Sequence, residues 1–206
     1  YLILLLAHIP AGIGWGSSGP IGGIHAQLIE RHSGKIISPY YAMGFNIGIF
    51  IGGILAGFIL GNTMSPTFVF LILFFLSIVV SLIIYMNGLP KDLDFKGEGE
   101  KLKIPEKNVL IFGFLLFVIF GSNGIIIDWS ALWFTKELNA PLYLASLGLI
   151  CLSCGGIFAN LFSNQLINLF SEKVVGCYFV IFGSLILFSS IIIGNFYFIL
   201  ITFFFY

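Results

Sequence analysis

The sequence predicts an all-α polytopic membrane protein, and three observations predict it. Of its 206 residues 59% are hydrophobic and 9% charged, where soluble domains carry roughly 25% charged residues. The mean hydropathy is +1.09. The apolar residues gather into runs close to the about 20 needed to cross a bilayer as a helix. The basic residues fall on alternate connections between those runs, as a chain threading back and forth through a membrane requires.

Taken in order, the runs predict helices over roughly 1–28, 41–61, 66–88, 109–134, 142–165 and 174–194, with a seventh, truncated one from 196. The chain starts on Tyr1 inside an apolar run, without an initiator Met or a basic leader, and ends inside another. It reads as an internal fragment cut within a helix at both ends.

The connections alternate in charge. Segment 29–40 carries Arg31 and Lys35, segment 89–108 carries Lys91, Lys96, Lys101, Lys103 and Lys107, and segment 166–173 carries Lys173. The remaining basic residue, Lys136, lies on the opposite set of connections. The positive-inside rule therefore places 29–40, 89–108 and 166–173 in the cytoplasm. The longest polar stretch divides the chain into 1–89, a loop over 90–108, and 109–206.

Glycine placement sorts the helices. Gly44, Gly48 and Gly52 recur every four residues, as do Gly53, Gly57 and Gly61, and small residues at this spacing let helix backbones approach. The helix over 41–61 is thus expected to be gripped by neighbours, with Asn46 serving the same packing. Residues 67–86 lack glycine and are bulky all round, so that helix is expected to face lipid. Trp129, Trp133 and Tyr143 mark one interface. Cys151 and Cys154 have metal-like spacing, but without a second pair or a nearby His they read as small residues of an apolar helix.

One ionisable residue stands out. Asp128 lies inside the apolar run 109–134, whereas the other carboxylates sit in polar segments or at helix edges. Burying a charge in lipid is costly, so such residues are rare and carry functional hypotheses by default. On a helix Asp128 shares a face with Gly121, Gly124 and Ala131. It reads as a substrate or proton site, or as a structural carboxylate near the outer interface. Asn123 and Ser122 lie deeper in the same run and read as hydrogen-bonding groups for a solute or for a second helix. His8 and Trp15 lie in the first run, His8 as a proton site or a packing residue. Glu30, Arg31 and Lys35 read as a cytoplasmic gate network or a solvated loop. The zero net charge argues against nucleic acid as a partner. There is no catalytic cluster, nucleophile elbow or phosphate loop, so no enzyme activity, metal or cofactor is expected.

Several of these motifs together resemble the major facilitator superfamily, and within it the bacterial fucose-permease-like sugar transporters. The carrying residues are Gly12, Gly14 and Gly16, then Glu30-Arg31 and Gly34-Lys35, then Ala42, Gly48 and Gly52, and the run Asp128-Trp129-Ser130-Ala131-Leu132. The resemblance implies spans four to ten of twelve in a protein of two six-helix halves, the loop 90–108 joining them. It further implies a multi-pass protein of the bacterial inner membrane, monomeric, whose partners are the lipid bilayer, a small polar solute such as a sugar, and protons. The alternative is a non-transporting remnant or membrane sensor. Departures from the family pattern motivate it: Gly19 and Gly23 replace an Asp and an Asn, Tyr41 a His, Asn123 an acidic residue, and Asn160 and Asn164 charged ones. Ser18-Gly19-Pro20-Ile21-Gly22-Gly23 also approximates a drug-antiporter signature, one residue short. Accepting it would put the lysine-rich loop outside.

Overall fold

The computed structural model describes residues 2–34, 36–62, 65–87, 105–171 and 174–206. Lys35, most of the lysine-rich loop and Lys173 lie outside them. The described residues form helices α1 (Leu2–Ser33), α2 (Ser38–Gly61), α3 (Pro66–Asn87), α4 (Lys107–Lys136), α5 (Leu147–Phe170), α6 (Val180–Ile193) and α7 (Phe196–Phe205). A 3₁₀ turn, Leu142–Leu144, precedes α5, and a π turn, Val175–Phe179, leads into α6. The fold is an all-α, multi-pass membrane bundle.

Among the described residues five helical stretches are long and apolar enough to cross a membrane: Ser38–Gly61, Phe70–Asn87, Val109–Lys136, Leu142–Phe170 and Val175–Ile193. The sequence predicts seven spans. The first forms one continuous helix but is not among the five, and it carries Pro10 and Pro20 inside it. The last, α7, is a short apolar helix. The helices also overrun the apolar segments. α1 continues to Ser33 through Glu30 and Arg31, so the connection expected over 29–40 shrinks to four residues. A helix satisfies its own backbone and has no reason to stop where the side chains become polar.

Helix ends show how the turns are made. Gly194 ends α6 with φ +59, the left-handed conformation that costs glycine nothing. Asn195 then caps α7 by accepting the Phe198 N–H at 3.1 Å. A helix stop and a helix start in two consecutive residues fold α6 and α7 into a tight hairpin. At the end of α4 Asn139 takes φ 52, while Leu138 N and Ala140 N bond back to Trp133 O and Phe134 O.

The packed core lies where α4, α5 and α7 meet. Ile126, Phe134, Leu152, Ile199 and Phe203 form it, with Cys151 packed alongside. Phe134 is fully buried, stacked on Phe203 at 5.9 Å and edge-on to Phe196 at 5.1 Å. The most extensive helix packing joins α2 to α5. α3 differs: its described side chains from Thr67 to Asn87 are all exposed, the surface a helix bathed in lipid presents.

Candidate functional site

α4 has two faces. Ile126, Ser130 and Phe134 recur every four residues and are 6%, 2% and 0% exposed, so they form one inward stripe. Asp128 stands two residues from both Ile126 and Ser130, which at 3.6 residues per turn puts it on the opposite side. It is exposed there, as is Trp129. On its own face, no atom lies within 4 Å of where a Cβ would stand at Gly121 or Gly124. Helix packing among the described residues therefore leaves this face unused.

One turn deeper, the polar groups are partly satisfied by their own helix. Ser122 Oγ donates to Val118 O at 2.8 Å, and Asn123 Nδ2 to Ile119 O at 3.1 Å. Both residues are half-buried. Bonding to the i−4 carbonyl lets a small polar side chain sit in an apolar helix, and it leaves the Asn123 amide oxygen to accept.

His8 and Trp15 belong to α1, which packs on α2 rather than extensively on α4. His8 is exposed, and the Trp15 side chain lies outside the described residues. The structure thus groups Asp128, Asn123 and Ser122 on one helix and keeps His8 on another.

Glu30 has a defined geometry. Its Oε1 accepts the backbone N–H of Ile37 and of Ser38, each at 2.6 Å. The residue preceding α2 is Ile37, whose side chain cannot cap a helix, and Pro39 follows at the first turn. The carboxylate of Glu30 supplies the missing cap from the preceding helix. These donors hold the Glu30 carboxyl below the usual carboxylate range, the Ser38 backbone first, then the Ser38 side chain and the Ile37 backbone. Gly34, at φ +66, bonds its N–H to Glu30 O at 2.8 Å and turns the chain. Arg31 is exposed. A second tie lies farther along: the Tyr41 ring occupies the space a side chain at Gly22 would need, and its hydroxyl donates to Ser18 O at 3.5 Å.

The α2–α5 crossing is the main junction between the chain before the lysine-rich loop and the chain after it. It is lined by glycine on the α2 side and by Tyr143, Ser146 and Ile150 on the other. A methyl added at Gly61 would meet Tyr143 Cβ at 3.4 Å, at Gly57 Ser146 Oγ at 2.6 Å, and at Gly53 Ile150 Cγ1 at 2.9 Å. Steps toward the start of α2 match steps toward the end of α5, so the helices run antiparallel. Farther on, a methyl at Gly156 would stand 2.5 Å from Asn46 Oδ1. Gly44, Gly48 and Gly52 have no such neighbour within 4 Å. Their stripe is centred about 180° round the helix from that of Gly53, Gly57 and Gly61, on a face the described helices do not cover.

α5 is receptive on other sides too. A methyl at Gly148 would come 2.9 Å from Ser130 Oγ, and Phe204 O fills the space beside Gly155. Among the described residues Ser130 Oγ is buried with no hydrogen-bond partner. Sequence reasoning singled out neither the α5 glycines nor the burial of Ser130. The signal was available in Gly155-Gly156 and in the four-residue spacing of Ile126, Ser130 and Phe134, but an all-apolar helix masks its own inward face. Among the described residues no three His, Cys, Asp or Glu side chains gather as a metal site would need.

The chain is similar to an uncharacterised MFS-type transporter of Yersinia pestis, 25% identical over 150 residues. The match covers 70% of this chain and 38% of that protein, so the chain spans well under half the length of the relative it matches. No protein-family model and no solved structure matches the chain. A multi-pass helical bundle and likeness to an MFS-type transporter are together consistent with a partial bundle of the major-facilitator type.

Proposed function

We propose that the chain is the middle of a secondary transporter of the major facilitator type, which moves a small polar solute across the membrane by alternating access. Residues 1–89 belong to one helical half and 109–206 to the other, with 90–108 as the cytoplasmic loop between them. The solute class is a sugar, on the resemblance to the fucose-permease-like branch, and Asp128 couples transport to protons.

One observation supports this reading above the others. The α2–α5 crossing joins the two segments along a glycine-lined face of α2, and the carboxylate of Asp128 stands on a face that no such packing uses among the described residues. Small-residue helix interfaces bring backbones close without interlocking bulky groups, which suits halves that rock about a midplane site. An intramembrane carboxylate on an open face suits a pathway rather than a packed interior.

The test uses the full-length protein in proteoliposomes, offered a panel of radiolabelled mono- and disaccharides with and without an inward proton gradient. Saturable uptake that rises with the gradient and is lost in Asp128→Asn supports the reading. A folded protein that takes up no member of the panel, under either condition, removes the sugar assignment and leaves the sensor or remnant as the better account.

A further inference from the structure

We propose that Asn46 is the residue that sets the register of α2 against α5, by seating its amide over Gly156. This rests on the transporter reading only for its consequence, that leaving this seat accompanies movement of one half past the other.

Gly53, Gly57 and Gly61 repeat every four residues, nearly one helical turn. Gly53 and Gly57 open notches against Ile150 and Ser146, and Gly61 is in ordinary contact with Tyr143. A slide of α2 by one turn still puts a glycine opposite two of these three partners, so the ladder fixes closeness but selects the register weakly. Something aperiodic has to choose one alignment.

Asn46 is that aperiodic element. A methyl built on Gly156 would stand 2.5 Å from its Oδ1, 2.7 Å from its Cγ and 2.8 Å from its Nδ2. Three nearly equal distances mean that the flat of the amide rests over the glycine. The amide is held in that pose by its own Nδ2 bond to Ala42 O at 3.1 Å. On the other helix, Asn160 Nδ2 donates to Gly156 O at 2.7 Å, so the receiving glycine is itself tied in place. A slide of one turn in one direction would bring the amide to Leu152, a bulky buried residue. In the other direction it would reach Asn160. Neither position has the notch that Gly156 provides. A buried polar residue in a helix seam is the best-attested way to select one register among near-equal ones.

Gly61 and Tyr143 provide the readout. A Cβ at Gly61 lies 3.4 Å from Tyr143 Cβ, close to the about 3.8 Å typical of disulfides. In the full-length protein with its native cysteines replaced by alanine, Gly61→Cys with Tyr143→Cys should cross-link rapidly on mild oxidation. Adding Asn46→Leu, or adding Gly156→Ala, should slow the cross-link by about tenfold or more. Asn46→Ala removes the amide without adding a clash and should slow the cross-link as well, while the pair one turn out of register, Gly57→Cys with Tyr143→Cys, gains in rate. Cross-linking at the parental rate in Asn46→Ala overturns the proposal. So does loss at Gly61 and Tyr143 with no gain at Gly57 and Tyr143, because that marks general damage to folding. No solute enters the assay, so its outcome is separate from the outcome of the transport test.

Discussion

Glu30 and Ser38 close the connection between α1 and α2: Glu30 Oε1 accepts the Ser38 backbone N–H at 2.6 Å, and the Ile37 N–H beside it at the same distance. The carboxylate therefore stands in for a cap that Ile37 cannot provide, and it ties the end of one helix to the start of the next.

That tie is expected to depend on pH, and its sign follows from the lowered Glu30 pKa. A carboxyl whose folded pKa is depressed contributes stability above its unfolded value and loses it as pH falls through the folded one. Protection of the 37–41 backbone from hydrogen exchange, corrected for intrinsic rates, should thus be constant near neutrality and fall below about pH 4.3. Glu30→Gln should show weaker protection at neutral pH and no such fall. Identical profiles for the two proteins would mean that the cap contributes nothing to the loop.

Ser130 and Gly148 yield a pair of opposite predictions. The buried Ser130 hydroxyl has no hydrogen-bond partner among the described residues, and an unsatisfied buried polar group is a net cost. Ser130→Ala should therefore leave thermal stability in detergent unchanged or raise it by about 1 kcal/mol. Gly148→Ala forces a methyl to within 2.9 Å of Ser130 Oγ and 3.1 Å of both Phe134 Cε2 and Ser130 Cβ. Overpacking of that kind costs about 1–3 kcal/mol. Ser130→Ala should relieve only part of it, since the Cβ and Phe134 contacts remain. A thermal unfolding series over the four proteins checks all three statements.

Phe134 anchors the α4–α5–α7 core, buried completely between Phe203 and Phe196. Truncating a buried Phe in a soluble core costs about 3–5 kcal/mol. In a bilayer the transfer part of that figure shrinks, because lipid is as apolar as the core, and lost packing remains. Phe134→Ala should fall near or below the lower end, at about 2–3 kcal/mol. Phe117, exposed on the same helix, should tolerate Ala with little change.

How much of this was legible in the sequence differs from element to element. The apolar runs placed the helices over 38–61, 66–87 and 107–136 to within a few residues, because hydrophobic length is a direct statement about a bilayer. The exposure of the third run's described side chains was equally direct, since bulk without glycine offers no close approach. The glycine spacing in α2 announced tight packing but not its face. Gly52 and Gly53 are neighbours in sequence and belong to two different stripes, and only the position of α5 distinguishes them. The partners on α5 could not be read at all, because pairing across about 100 residues is a tertiary fact. Glu30 was legible as a charge near a loop. Its geometry was not, since nothing in its own segment shows that the next helix begins on an uncapped Ile37.

Asp128 yields the prediction that separates a site from a scaffold. It lies opposite the stripe of Ile126, Ser130 and Phe134, and it is exposed. Asp128→Asn keeps the shape and removes the charge, so thermal stability should change by no more than about 0.5 kcal/mol, as for a residue outside the packed face. If Asp128 couples transport to protons, the same variant should lose its response to a proton gradient while a downhill exchange of solute persists. An intact gradient response would release Asp128 from coupling and leave the transporter reading standing on the α2–α5 junction. A loss of stability beyond about 1–2 kcal/mol would instead show that the carboxylate is part of the packing. The two measurements on one variant therefore distinguish a coupling carboxylate from a structural one.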